Sequence, residues 1–446
     1  MKLIPIIVVD CWYRGLALLF VCLAISGCFS SPDDSRLDGE RIDILELGDV
    51  EFETAKSEDV NIRLAVPSLA TQWINPSQTP GHVSGHHVLA DDASLVWRRS
   101  LGKGEGRAAR LTASPIVFDG IVYALDARVQ VTALRLDNGE VIWSTNLVPD
   151  DDVRGHYGGG LTYANGKLYV PAGDGRLHIL NPVDGTLEQS ILMRAPARAA
   201  PLIVGDVIFV QTIDNALTAY DMTTWQDLWV FEGEETPLGL TGSSAPAWQD
   251  GTVFAAFNDG ELVAINASTG RLAWSQSMDV LGALGRGVSN VAALRAQPVV
   301  DGNTVMASSF GGSTAHLEYR NGQAVWEVRA GAVSTPILTD RHVFFITPWG
   351  EMLALTRAEG ALVWRKDLPG AVNRKDIIKN TYYGPVLANG QLVAASSNRR
   401  LVFVDAITGE LVRNLRLRAR AAAVDPMVVD GTLLVVTRDG YINAFR

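Results

Sequence analysis

The chain has 446 residues, 47% of them hydrophobic, enough apolar material for a large buried core. Its 38 basic and 49 acidic residues leave a net charge of −11, with Lys and Arg scattered along the sequence. Nucleic acid is excluded as a partner, because it requires a basic stripe over the phosphates, and the acidity reads as solubility.

Residues 1–27 have the pattern of an export signal. Lys2 and Arg14 precede the apolar run GLALLFVCLAIS, Gly15 to Ser26, which is too short for a comfortable membrane span. The run ends in Ile25-Ser26-Gly27-Cys28, which resembles the lipobox of bacterial lipoproteins and makes Cys28 the expected lipidation site. Phe29 follows it where enteric-type sorting uses Asp to retain a lipoprotein at the inner membrane, so the outer membrane is the expected destination. All three cysteines, Cys11, Cys22 and Cys28, lie before residue 29, so none can staple the remaining four hundred or so residues.

Residues 28–71 are rich in Asp and Glu and carry no strand or turn period, which predicts a disordered, lipidated tether. Residues 72–94 begin QWINPSQTPGHVSGHH and read as a lead-in loop lying across one face of the main body of the chain. Its Pro and Gly forbid the helix that would place His82 and His86 on one face, and no acidic or Cys partner stands at ligand spacing. His82, His86 and His87 are therefore expected in a solvated loop and not around zinc.

From Leu95 onward the chain repeats itself. ALRLDNGEVIW, AYDMTTWQDLW, AINASTGRLAW and ALTRAEGALVW end at Trp143, Trp229, Trp274 and Trp364. A shorter relative ends at Trp326, and two degenerate copies have Gln189 and Asn414 where the Trp would stand. Each copy is an apolar-alternating strand, a tight turn with Gly, and a second strand. A further hairpin precedes each, as in SPIVFDGIVYAL, so a unit holds four strands.

The turns of these upstream hairpins fall at Gly120, Gly166, Asp206, Gly251, Gly302, Arg341, Gly390 and Gly431, eight units at spacings of 39 to 51 residues. That period belongs to propeller blades. The expected fold is all-β: an eight-bladed β-propeller of four-stranded antiparallel blades over residues 95–446. The last unit has room for three strands only, and SLVWRRSLG, with Trp97, has the missing outer-strand pattern. It is expected to complete the eighth blade and hide edges that would otherwise pair with other chains.

Chemistry is sparse. His156, His178, His316 and His342 are dispersed, and no Ser, His and Asp arrangement can be assigned. Gly158-Gly159-Gly160 lacks the Lys-Ser/Thr and the helix of a phosphate loop, so a close strand approach is expected there.

The repeated Asp-x-x-Thr-Gly-x-x-x-Trp pattern resembles the blade signature of quinoprotein alcohol dehydrogenases. Those rings hold pyrroloquinoline quinone over an adjacent cysteine pair, with calcium. No cysteine remains here for that purpose, so no cofactor, no metal site and no catalytic residue are expected. Lipobox, acidic tether and eight quinoprotein-like repeats together resemble the BamB family of outer-membrane assembly lipoproteins. The resemblance covers about residues 72–446 and rests on QWINPSQTPGH, RAARLTASPIVFDGIVYALDAR, PARAAPLIVGDVIFVQTIDNALTAYD and the run from PLGLTG to Trp274.

The resemblance implies a non-enzymatic scaffold of the β-barrel assembly machine. It would bind the periplasmic domains of BamA alongside other lipoproteins of the machine, act on nascent outer-membrane proteins, and be held by its lipid on the periplasmic face of the outer membrane. The family's partner loop Leu-x-Leu-Arg corresponds to Leu238, Gly239, Leu240 and Thr241, with Thr241 in place of the arginine. Either leucine is an exposed anchor or packs between blades. At the next connection the family's acidic residues are replaced by Ala293 and Arg295, so any ion pair there is lost or reversed in sign. Two other readings stay open: a propeller for another envelope partner or cell-wall polymer, and a divergent quinoprotein dehydrogenase.

Overall fold

The structure is a computed structural model that describes residues 52–56, 60–107, 109–148, 158–197, 199–234, 244–278, 294–310, 312–372, 380–418 and 420–446. The signal segment and Cys28 lie outside the described residues. All regular structure among the described residues is strand, in eight four-stranded antiparallel sheets. These are the blades of an eight-bladed propeller, which is the expected fold.

Blade 1 shows how the sequence makes each sheet. Its strands are Ile116–Phe118, Ile121–Leu125, Gln130–Arg135 and Val141–Asn146, hydrogen-bonded in sequence order. The second and third are almost wholly buried, since both of their faces meet neighbouring blades; the fourth is mostly exposed. The fourth strand is therefore the outer edge and the short first strand faces the axis. The corresponding inner strands are Thr162–Ala164, Leu202–Val204, Ala247–Gln249, Val299–Asp301, Ile337–Leu338, Tyr382–Ala388 and Met427–Val429 in blades 2 to 8.

Blade 8 is completed from the other end of the chain. Leu95–Ser100 pairs antiparallel with Tyr441–Phe445, with Trp97 opposite Ala444. Ser94 and Arg446 exchange both backbone hydrogen bonds, at 2.7 and 3.0 Å. Eight apolar clusters hold the ring, one between each neighbouring pair of blades, as where Phe209 and Leu217 of blade 3 meet Val253 and Val263 of blade 4.

The repeated Trp and Gly belong to one device. Six outer-strand indoles, Trp97, Trp143, Trp229, Trp274, Trp326 and Trp364, donate from Nε1 to a carbonyl in the next blade at 2.8 to 3.2 Å. Each ring lies over the turn glycine of that next blade. A Cβ on Gly185 would sit 2.4 Å from the Trp143 ring, and Gly185 is also at φ +72°, so the position demands glycine twice over.

The two degenerate copies follow from the same rule. Outer strand 2 has Gln189 for Trp, and the turn it faces has Trp225 at φ +57° where the other turns have glycine. The Trp225 indole packs in the cluster between blades 2 and 3 with Ile191, so it approaches from the opposite side. Asn414 of blade 7 faces blade 8, where ring closure leaves no such turn to cover.

Residues 52–71 depart from expectation. The part of the acidic tether within the described residues is docked: Leu362 exchanges hydrogen bonds with Glu53 and Ala55, and Phe52 and Ile62 enter the clusters of blades 5/6 and 6/7. These apolar side chains, isolated among acids in the sequence, find grooves between blades. The tether expected over residues 28–71 is therefore anchored to the ring by its C-terminal part.

Candidate interaction site

The channel of the ring has two mouths, and the chain treats them differently. The lead-in loop makes a full lap inside the mouth on the side of the first hairpin turns. In order around the ring, the carbonyl of Ala70 accepts from Asp430 N of blade 8, and Trp73 exchanges two bonds with Val117 of blade 1. Ile74 accepts from Tyr163 of blade 2, Pro80 from Trp248 of blade 4, and Gly81 from Val300 of blade 5, at 2.7 to 2.9 Å. His87 then pairs with blade 7, donating to Leu387 and accepting from Asn389. Ser68 bonds to His86 and Val88, closing the lap on itself.

Trp73 holds the lap to the ring by packing in the cluster between blades 8 and 1. Trp73 is 6% exposed, and its ring lies 5.5 Å from that of His87. The expectation of solvated histidines is wrong: His82, His86 and His87 are all buried. The ring nitrogens of His82 and His86 serve the backbone, and His87 Nε2 lies 3.4 Å from the Ser84 hydroxyl. His82 Nδ1 lies 2.9 Å from the Pro298 carbonyl; His86 Nδ1 reaches Ala65 O at 2.6 Å, and its Nε2 accepts from Gly390 N at 2.7 Å. Burial lowers the pKa of His82 to about 4, against the pull of the Pro298 carbonyl, and that of His87 to about 4, with His86 adding to the effect. Both are neutral at neutral pH, as an enclosed plug requires.

Among the described residues, the other mouth is formed by connections that lead into inner strands and by turns between second and third strands. It holds a cavity of about 700 Å³. Arg110, Arg295 and Arg420 come from the connections into blades 1, 5 and 8, and Arg399 and Arg438 from the turns of blades 7 and 8. Glu105 is the single carboxylate among the described lining residues. Arg438 donates from Nη2 to the Tyr383 hydroxyl at 3.2 Å, while its buried Nε is 3.6 Å from Glu105 Oε2. Asp425 accepts from Ser334 Oγ and from Gly384 N; burial raises its carboxyl above the usual range, against the nearby charge of Arg295.

Of the residues that the sequence singled out for partner binding, Leu238, Leu240 and Thr241 lie outside the described residues. Arg295 is described, half-buried, and faces the cavity. The sequence singled it out alone. Its four companions lie between positions 110 and 438, and each reads singly as an ordinary surface charge. Their common signal is place within the repeat, just before an inner strand or in the second turn.

Elsewhere Gly158-Gly159-Gly160 is a close strand approach: a Cβ on Gly159 would meet three carbonyl oxygens, of Pro171, Ala197 and Ala199, at 2.9 to 3.0 Å. Among the described residues no three His, Cys, Asp or Glu side chains converge as a metal would require.

The ring is similar to that of BamB from Moraxella catarrhalis, with a TM-score of 0.65 at 15% identity, covering 79% of this chain and 99% of that one. A europium-containing methanol dehydrogenase is also similar, with a TM-score of 0.64 at 14% identity over 82% and 89% of the two chains, a likeness of fold alone. In sequence, the outer membrane protein assembly factor BamB of Salmonella typhimurium is 27% identical over 356 residues, 79% of this chain and 88% of its own length. The family model described as outer membrane protein assembly factor BamB matches residues 77–156, 151–366 and 360–446. With blade count, closing strand and family model in agreement over the whole ring, the chain belongs to the outer membrane protein assembly factor BamB family.

Proposed function

We propose that the chain is a non-enzymatic scaffold of outer-membrane protein assembly. In this reading it is held to the outer membrane by a lipid on Cys28, faces the periplasm, binds the periplasmic domains of BamA beside other lipoproteins of the machine, and assists nascent outer-membrane proteins. The observation that carries the reading is the family match along the entire propeller. The physical support is a closed ring of eight blades with exposed outer strands, a surface suited to docking a partner domain.

Within this reading Leu238 and Leu240 are the apolar anchors of the partner loop, and Thr241 replaces a charged contact with a neutral one. The test is recovery of BamA with the chain from membranes solubilised in mild detergent. Wild type recovers BamA, and the doubly substituted Leu238→Asp, Leu240→Asp chain loses it while keeping the melting temperature of the wild type. Failure of the wild type to recover BamA overturns the reading. Undiminished recovery by the variant removes the loop from the interface.

A further inference from the structure

The cavity at the open mouth has a charge that the chain as a whole does not. On a protein of net charge −11, five arginines line one cavity of about 700 Å³, opposed within the described lining by Glu105, with the buried Asp425 close to Arg295. Like charges placed together cost free energy unless something of opposite sign joins them. The lap of residues 68–88 bonds to the inner strands at the other mouth of the same channel.

The positions of the arginines narrow the ligand. Arg110 leads into blade 1 and Arg295 into blade 5, four blades apart in a ring of eight, so they stand on opposite walls. Arg399, Arg420 and Arg438 belong to blades 7 and 8. A single phosphate cannot meet both walls. A chain carrying several separated carboxylates can, with each planar guanidinium offering a carboxylate two parallel donors. The lining also includes Ser397, Asn398 and Thr112, whose polar atoms suit a peptide backbone better than an acyl chain. At the opposite mouth, extended backbone already pairs with inner strands of six blades.

We infer that the open mouth is a binding site for an acidic polypeptide segment in extended conformation, received between Arg110 and Arg295 on opposite walls and Arg399, Arg420 and Arg438 between them. The inference rests on the cavity alone and goes beyond the assembly reading, so the two fail separately.

The experiment titrates the full chain, purified in detergent, with a fluorescent oligoglutamate of about ten residues, about 33 Å when extended. Oligoglutamine of equal length and inorganic pyrophosphate are the comparison ligands. Oligoglutamate is expected to bind, more weakly as salt rises, with affinity reduced about tenfold or more in Arg399→Gln, Arg420→Gln and again in Arg295→Gln. These side chains make no hydrogen bond that secures a blade, and unchanged melting temperatures exclude misfolding as the cause. Absence of binding, equal binding of oligoglutamine, or affinity unaffected by the substitutions overturns the inference. Displacement of the peptide by an equal concentration of pyrophosphate also overturns it, in favour of a phosphate site.

Discussion

The two mouths of one channel differ in what the chain has done with its own residues. At the closed mouth, backbone meets backbone: the lap satisfies inner-strand edges, its buried His82 and His87 are neutral, and Trp73 packs into the cluster between blades 8 and 1. At the open mouth the described residues gather five arginines around Glu105, with Asp425 buried near Arg295. The lesson is that stability and recognition are assigned to opposite ends of the same ring. Substitutions at the closed end should therefore act on folding, and substitutions at the open end on binding.

That division can be broken by experiment. Trp73→Ala removes the indole that the lap packs between blades 8 and 1 and should cost about 3–5 kcal/mol, read as a fall in denaturant midpoint; an effect below about 1 kcal/mol would make the lap an ornament. Next comes acidity. His82 titrates at about 4 in the folded chain and at 6.5 when unfolded. Between those values the unfolded chain binds more protons, so stability is complete above pH 6.5 and falls as pH drops towards 4. The loss from His82 alone is about 3 kcal/mol. Limited proteolysis at pH 5 should cut within residues 72–94 before it cuts the blades, and equal protection at pH 5 and 7.5 would place the acid sensitivity elsewhere.

Gly81→Ala sets a Cβ 2.7 Å from the Val300 carbonyl oxygen and should cost about 1–3 kcal/mol, checked by thermal melting. The smallest effect belongs to the open mouth. Arg420→Gln should leave the melting temperature within the equivalent of about 0.5 kcal/mol, or raise it slightly by relieving repulsion. A clear destabilisation would mean that the arginines are structural after all.

The ring was legible in the sequence because its signals are local and repeated. A strand period of two recurs in every blade and a turn glycine and a terminal indole in most, and Trp97 with the truncated last unit announced the closure. What escaped was everything that depends on comparing places far apart. Gln189 looks like decay until it is set beside Trp225, the residue that replaces both the missing indole and the glycine beneath it. The lap has no period, since its backbone bonds fall on six different blades at uneven intervals, and its Pro and Gly resemble those of a solvated loop. The arginine cavity is spread over more than three hundred positions, and only superposing the units shows that its members share two places in the repeat.

The lap also imposes an order on the making of the molecule. Residues 68–88 are among the earliest to leave the ribosome, yet their hydrogen-bonding partners run from Val117 to Asp430. They have no place to settle until the eighth blade exists, and the eighth blade lacks its outer strand until Leu95–Ser100 returns to meet Tyr441–Phe445. The beginning of the chain thus waits for the end. Contacts of such sequence separation make for slow folding and a long interval with inner edges unpaired, during which the nascent ring is itself a client in need of protection.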